Sequence, residues 1–363
     1  IAAVLLIFLV GAYFSGVTAL YLFYKHKRGF KEIRYSQVIT YPFNRKAFQR
    51  TMGDYFIEEA KSELEAGNYL DAYHLLRSGV GRSRENTEGR LLLAEFYEYG
   101  MNRVDLASDL LERGLPHAEN DLEYLRRLFT MLLRNQRDLE IQEIATGILE
   151  DAPSPPPETL ADGSENPAYR YVQFTAYIAA QAYFYRGDYD AAERLLETYG
   201  LKPTHDGMYL LAMIQWQRGR RDTAVSLLES GLTRYPESDR YYLQLTRFYR
   251  EMGDYDQARR YAVLRSANDP LDPIPRIELL YAYDEMGDTE RGTAETEAII
   301  RQFSEDEQTL QLLANYAAET GRVALTHRLY NLALEHNFDI SSFALLVIES
   351  MIVSEDYARA LRF

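Results

Sequence analysis

Gly187-Asp188-Tyr189, Gly253-Asp254-Tyr255 and Gly287-Asp288 are three copies of one turn, with weaker copies at Gly219-Arg220 and Gly321-Arg322 and a last one at Glu355-Asp356-Tyr357. Their first positions lie 32, 34, 34, 34 and 34 residues apart. A fixed period of this size predicts stacked two-helix units, because so small a unit cannot bury its own apolar face and must cover it with the next. The 363 residues are therefore read as an array that grows by stacking rather than as a set of ordinary domains.

The residues around each turn share one pattern. Seven positions before it stands a small residue at Ala60, Ala180, Ala212 and Ala314, and four before it an aromatic at Tyr183, Tyr249 and Tyr283. Two positions after it come Tyr69, Tyr189, Tyr255 and Tyr357; five after, Ala72, Ala192, Ala224, Ala258 and Ala360; seventeen after, Pro236 and Pro270. Glycine ends the first helix where a left-handed backbone is needed, and the following Asp can cap the second. The small residues let the paired helices approach closely, and Pro closes the unit before the next helix begins.

This pattern resembles the tetratricopeptide repeat, a 34-residue helix–turn–helix unit with small, aromatic and Pro positions in the same order. The resemblance covers roughly residues 45–363 and is strongest over 169–363. Leu64-Glu65-Ala66-Gly67-Asn68-Tyr69-Leu70-Asp71-Ala72 is a good early copy. Degenerate copies follow near Gly100–Arg103 and Gln136-Arg137-Asp138, and Gly292 and Thr326 replace an expected Ala. The fold class implied is all-α, a right-handed solenoid of about nine repeats, the last stopping inside its second helix at Phe363. Residues 45–150 hold the degenerate repeats. Residues 151–168 form a Pro-rich loop, in which Pro153, Pro155, Pro156, Pro157 and Pro167 are read as preventing helix and favouring an extended, mobile path. That loop is either a tolerated surface insertion or a docking or hinge element.

The chain has a net charge of −15 and no Cys, which removes disulfides, thiolate metal sites and Cys nucleophiles. The charge is uneven. Residues 25–50 carry eight Lys or Arg against Glu32 alone, a net of +7, while the 313 residues after them hold 32 basic and 54 acidic groups, a net of −22. So acidic a body would repel a phosphate backbone, so no nucleic-acid partner is expected.

Residues 1–24, IAAVLLIFLVGAYFSGVTALYLFY, contain no charge and are long enough for a transmembrane helix. They outrun the apolar core of a signal peptide and end in the interfacial aromatics Tyr21, Phe23 and Tyr24. Lys25, Lys27 and Arg28 follow at once, placing the repeats on the cytoplasmic side, with the periplasm as the alternative. The chain opens on Ile, so residues upstream are expected, and a further flank there would alter the count. Gly11, Ser15 and Ala19 form a stripe on which another membrane helix could pack; small residues are also simply common in such helices. Residues 25–44 read as a basic juxtamembrane linker, with Tyr35–Tyr41 as a short extended piece. Its charge serves either anionic headgroups or topology alone.

No catalytic constellation is found. The six His are scattered, there is no phosphate-binding Gly loop or nucleophile elbow, and Gly79-Val80-Gly81 reads as a helix terminator. The protein is expected not to be an enzyme, and no cofactor, metal or small-molecule substrate is expected. Of the 30 Tyr, most of those that can be placed in the repeat register fall on packing positions. The sole Trp, Trp216, is read either as core or as ligand contact. The resemblance implies a concave groove lined by the first helix of each unit. Counting back from the turns, its lining is Tyr177, Gln181 and Tyr185, then Tyr209, Met213, Trp216 and Gln217. Arg247 and Arg250, then Tyr281 and Asp284, then Gln311 and Asn315 continue it. Arg247 and Arg250 can meet an acidic group or terminal carboxylate of a partner, or pair locally with Glu251, Asp284 or another groove acid. The expected function is a membrane-tethered scaffold that binds protein segments in this groove and holds an envelope complex together. The alternative, drawn from similar anchored repeat proteins, is an adaptor regulating lipopolysaccharide or exopolysaccharide synthesis.

Overall fold

The computed structural model describes residues 2–363, with side chains from Phe8 onward. Among these residues the structure is helical and turn, with one isolated bridge between Thr159 and Glu165. It divides into two compact units, the first ending at Leu201 and the second running Lys202–Phe363.

The first unit opens with α1 (Ala2–Leu22), which continues through a π-helical turn, Phe23–Lys27. By length and composition, Phe8–Lys27 is apolar enough to cross a membrane. The segment expected to be a linker is instead folded. The chain reverses at Gly29, and α2 (Tyr35–Ile39) runs back beside α1. Thr18 and Tyr35 share a 2.8 Å hydroxyl hydrogen bond, and the Tyr13 hydroxyl donates to the Ile39 carbonyl. The piece read as extended is thus a helical turn, closed by the Gln37 side chain accepting the Arg34 N–H at 2.9 Å. Val17, Phe30, Ile33, Val38, Phe48, Met52 and Phe56 form the core of this collar, joining α1 to the first hairpin.

Four hairpins complete the unit: α3 (Arg45–Glu65) with α4 (Tyr69–Arg82), α5 (Thr87–Glu95) with α6 (Val104–Glu112), α7 (Leu122–Arg134) with α8 (Asp138–Asp151), and α9 (Pro167–Tyr185) with α10 (Tyr189–Thr198). Gly79-Val80-Gly81 does not terminate α4, which runs on to Arg82. Pro167 does not block a helix; it occupies the first turn of α9, where no N–H partner is needed. The insertion before it is folded back rather than extended. Leu160 N–H meets the Ser164 carbonyl at 2.8 Å, and Asn166 donates to the Pro157 carbonyl at 2.8 Å.

The second unit holds five hairpins: α11 (His205–Gln217) with α12 (Arg221–Arg234), α13 (Asp239–Met252) with α14 (Tyr255–Asn268), α15 (Ile274–Met286) with α16 (Thr289–Gln302), α17 (Glu307–Glu319) with α18 (Val323–Glu335), and α19 (Ile340–Val353) with the single turn α20 (Tyr357–Ala360). Nine hairpins are thus present among the described residues, the last with a truncated second helix.

The turn shows why the period exists. At Gly253, φ is +79°, its N–H reaches the Arg250 carbonyl at 2.9 Å, and the Asp254 N–H reaches the Tyr249 carbonyl at 2.9 Å. Those two bonds satisfy carbonyls the helix end would leave open. The Asp254 carboxylate then accepts the Gln257 N–H at 3.1 Å, capping α14; Asp188 and Asp288 do the same for Ala191 and Arg291. The degenerate turns keep the conformation without the glycine: Asn102, Gln136 and Glu355 all have positive φ. Asp254→Ala is expected to destabilise the second unit by about 1 kcal/mol. An unchanged urea midpoint would show that the cap contributes nothing.

The small positions pack as expected: Ala60, Ala72, Ala180, Ala192, Ala212, Ala224 and Ala258 are fully buried. Thr326 fills its Ala position, buried and hydrogen-bonded to Ser350 at 2.8 Å. The aromatic position after the turn is less uniform, since Tyr69 and Tyr357 face solvent.

Candidate functional site

In the second unit, first helices of successive hairpins lie beside one another and are joined by a ladder of polar contacts. Glu251, Glu285 and Glu319 each stand two residues before their turn glycine. Each accepts from the preceding first helix: Glu251 from the Trp216 indole N–H at 3.2 Å, Glu285 from Arg250 at 2.7 and 3.2 Å, Glu319 from the Tyr281 hydroxyl at 2.6 Å. Of these acceptors the sequence reading named only Glu251, and as a partner for arginine; the 34-residue recurrence that would have added Glu285 and Glu319 was available in it.

The expected lining residues of this unit fall on that face with different freedoms. Tyr209 is half-buried, donates to Gln244 at 3.1 Å and lies under the Arg240 guanidinium at 3.5 Å. Met213 is half-buried, and Gln217 is exposed. Trp216 stacks on Phe248 with centroids 3.8 Å apart, so one face of its ring is core. Gln311 and Asn315 are half-buried on α17. Asp284 accepts from the Tyr316 hydroxyl at 2.7 Å and pairs with Arg322.

The two arginines separate. Arg250 pairs with Glu285, not with Glu251 or Asp284, because Trp216 and Arg322 already engage those two carboxylates. This bond raises its pKa, outweighing the burial that lowers it. Arg247 is exposed and has no hydrogen-bond or ion-pair partner among the described residues. Its repeat equivalent on α15, Tyr281, reaches the glutamate of the next unit; for Arg247 that glutamate is Glu285, already held by Arg250. Arg247 is near enough to Glu278 to lower that carboxyl's pKa, a weaker effect than the burial that raises it.

In the first unit, Tyr177 and Gln181 are half-buried on α9, and Tyr185 is exposed, edge-on to Phe184 at 5.6 Å. A second ladder joins α5 and the π-helical turn after it, Phe96–Gly100, to α7. Arg127 pairs with Glu95 at 3.3 Å and Arg134 with Glu98 at 2.8 Å, beside a small cavity of about 160 Å³. The degenerate turns of those repeats hid its register from the sequence. On α1, Gly11, Ser15 and Ala19 are exposed on the side away from buried Val17, with open space around Gly11.

Tetratricopeptide repeat models match residues 63–132 and 215–273, and another matches 173–198. No curated protein matches the chain. Among solved structures it is similar to a tetratricopeptide repeat protein from Parabacteroides merdae, at 16% identity and a TM-score of 0.42, covering 83% of this chain and 99% of that one. It is also similar to PilW, described as a widely conserved type IV pilus biogenesis factor, at 14% identity and a TM-score of 0.39, covering 72% and 98%. For yeast Tom70 the values are 13% and 0.38, covering 95% and 83%.

Proposed function

Starting from a chain that is a tetratricopeptide repeat protein, we propose that it is a membrane-tethered scaffold whose second unit binds an acidic segment of a partner on its first-helix face. Repeats of this family are protein-interaction scaffolds and generally not catalysts. The observation that carries the finer reading is Arg247. It is an exposed cation without a hydrogen-bond or ion-pair partner among the described residues, on a helix whose other groove cation, Arg250, is already bound to Glu285, in a body of net −22. A cation left unpaired in such surroundings offers a partner carboxylate a charge-assisted bond with little rearrangement. Helix α1 is the tether, with the basic residues after it holding the repeats on the cytoplasmic side. Tethering raises local concentration near an envelope partner without new contacts.

The test is a gentle-detergent pull-down from native membranes read by mass spectrometry, with Arg247→Glu against Arg301→Glu on the second helix α16. Arg247→Glu is expected to weaken recovery of the partner by about 10- to 100-fold, the value of one charge-assisted bond, while Arg301→Glu leaves it unchanged. Equal recovery by both variants would remove the first-helix face from the function.

A further inference from the structure

Outside the repeat face, positive charge gathers at one end of the first hairpin. Arg45, Lys46 and Arg50, from the first turns of α3, meet Arg82 and Arg84, from the end of α4 and the turn after it, around a trough of about 760 Å³. The tertiary fold brings these two groups together from positions more than thirty residues apart. The single acid in the lining, Glu85, is bound to Arg50 at 2.5 Å. Arg82 is held in place by the Ser78 carbonyl at 2.6 Å and lies over the Phe56 ring at 5.5 Å. Burial and then the Arg28 guanidinium push the pKa of Arg82 down, so it already feels excess positive charge. Arg45, Lys46 and Arg84 are exposed and have no acidic partner among the described residues.

Position selects the ligand. Helix α2 runs back along α1 until Ile39 meets Tyr13, and the chain from there into α3 carries Phe43, 87% exposed. Phe48, one turn into α3, packs on Tyr24 with centroids 5.0 Å apart. Arg45 and Lys46, just before it, therefore lie near the π-helical turn that follows the apolar α1. A phosphate bound here would have apolar helix surface beside it for its chains and an exposed Phe beside those. An acidic peptide would need apolar side chains at matching positions to use both. We propose that this trough binds the phosphate of an anionic phospholipid headgroup, with Arg45, Lys46 and Arg84 as its cations. The proposal rests on the reading of α1 as a membrane tether.

Native mass spectrometry of the full chain in nonionic detergent, given dioleoyl phosphatidylglycerol or dioleoyl phosphatidylcholine, tests it. Three cations at about five-fold each give a wild-type preference for the anionic lipid on the order of 100-fold. Arg45→Gln/Lys46→Gln/Arg84→Gln is expected to abolish it, with far-UV circular dichroism unchanged. Arg84→Gln alone is expected to lower it about five-fold, a second reading if the triple variant fails to fold. Equal uptake of both lipids by wild type, or a preference kept by the variants, would overturn the site. Displacement of the lipid by equimolar glycerol phosphate would also overturn it, in favour of a soluble anion. Carbonate extraction separates the two readings. A chain stripped from membranes refutes the tether, whereas one that resists extraction but shows no lipid preference refutes the trough alone.

Discussion

Arg265→Met is expected to destabilise the second unit by about 3–5 kcal/mol, lowering its melting temperature by roughly 10 °C. Arg265 is 5% exposed on α14 and binds three carboxylates from separate segments. It pairs with Asp239 at the start of α13, donates to Glu278 on α15 at 2.5 Å, and lies 3.9 Å from Asp272 in the loop between α14 and α15. Burial disfavours its charge, yet these acids prevail and raise its pKa. Met keeps most of the volume, so the loss is electrostatic. It leaves Glu278 half-buried without its ion-pair partner, with Arg247 still lowering its pKa and Asp239 raising it.

The pH dependence carries the diagnosis. Burial raises the Glu278 pKa above its ordinary value, and Arg265 opposes that shift. A carboxyl with a raised folded-state pKa favours folding below its unfolded value, and that contribution is lost as pH rises through the folded value. Without Arg265 the folded value rises further. The defect of Arg265→Met is therefore expected to be largest near pH 7.5 and to shrink toward about pH 4.5, where protonated Glu278 no longer needs a cation. Glu278→Gln added to Arg265→Met is expected to restore part of the stability at pH 7.5. Scanning calorimetry in mild detergent at both pH values reads this. A defect of equal size at both would assign the loss to packing.

The second large effect is a contrast between two glycines of one hairpin: Gly53, on α3, and Gly81, on the facing helix α4. A Cβ on Gly53 would lie 2.6 Å from the Ser83 nitrogen and 2.7 Å from the Gly79 carbonyl oxygen. Both are backbone atoms, so no side chain can move to make room, and the hairpin would have to open. Gly53→Ala is expected to cost about 3 kcal/mol, at the upper end of overpacking effects. A Cβ on Gly81 meets nothing within 4 Å, so Gly81→Ala is expected to stabilise by about 0.5–1 kcal/mol. Hydrogen exchange over residues 45–82 would show opposite signs for the two variants. Loss of protection in both would mean that the helix crossing is not set by this contact. Gly53→Ala should also weaken the basic trough, since Arg82 and Arg84 reach Arg45 and Lys46 only across that crossing.

These residues also mark how far the sequence could be read. The turn glycines, the Asp caps and the buried Ala positions were legible because each is a local requirement, met within one hairpin and repeated through much of the array. Even the glycine-free turns at Asn102, Gln136 and Glu355 were located to within a residue or two. The site was legible only as a set of positions. Counting back from each turn found the face of Trp216, Arg247, Arg250 and Tyr281, but not that Arg250 would be bound to Glu285 and Arg247 left free. That outcome depends on competition between neighbours about 35 residues away for one carboxylate.

The sequence by itself therefore determined the repeat, its turn chemistry, its count, the apolar first helix and the charge asymmetry, since period, composition and backbone conformation are carried by residues near in the chain. Only the tertiary structure decided which charges remain free, that residues 25–44 fold against α1, that Gly79 marks a close approach rather than a helix end, and that Arg82 and Arg84 join the basic residues of α3. Each of these depends on which side chains and backbone atoms from distant segments compete for the same space or the same partner, and one-dimensional spacing does not encode that competition.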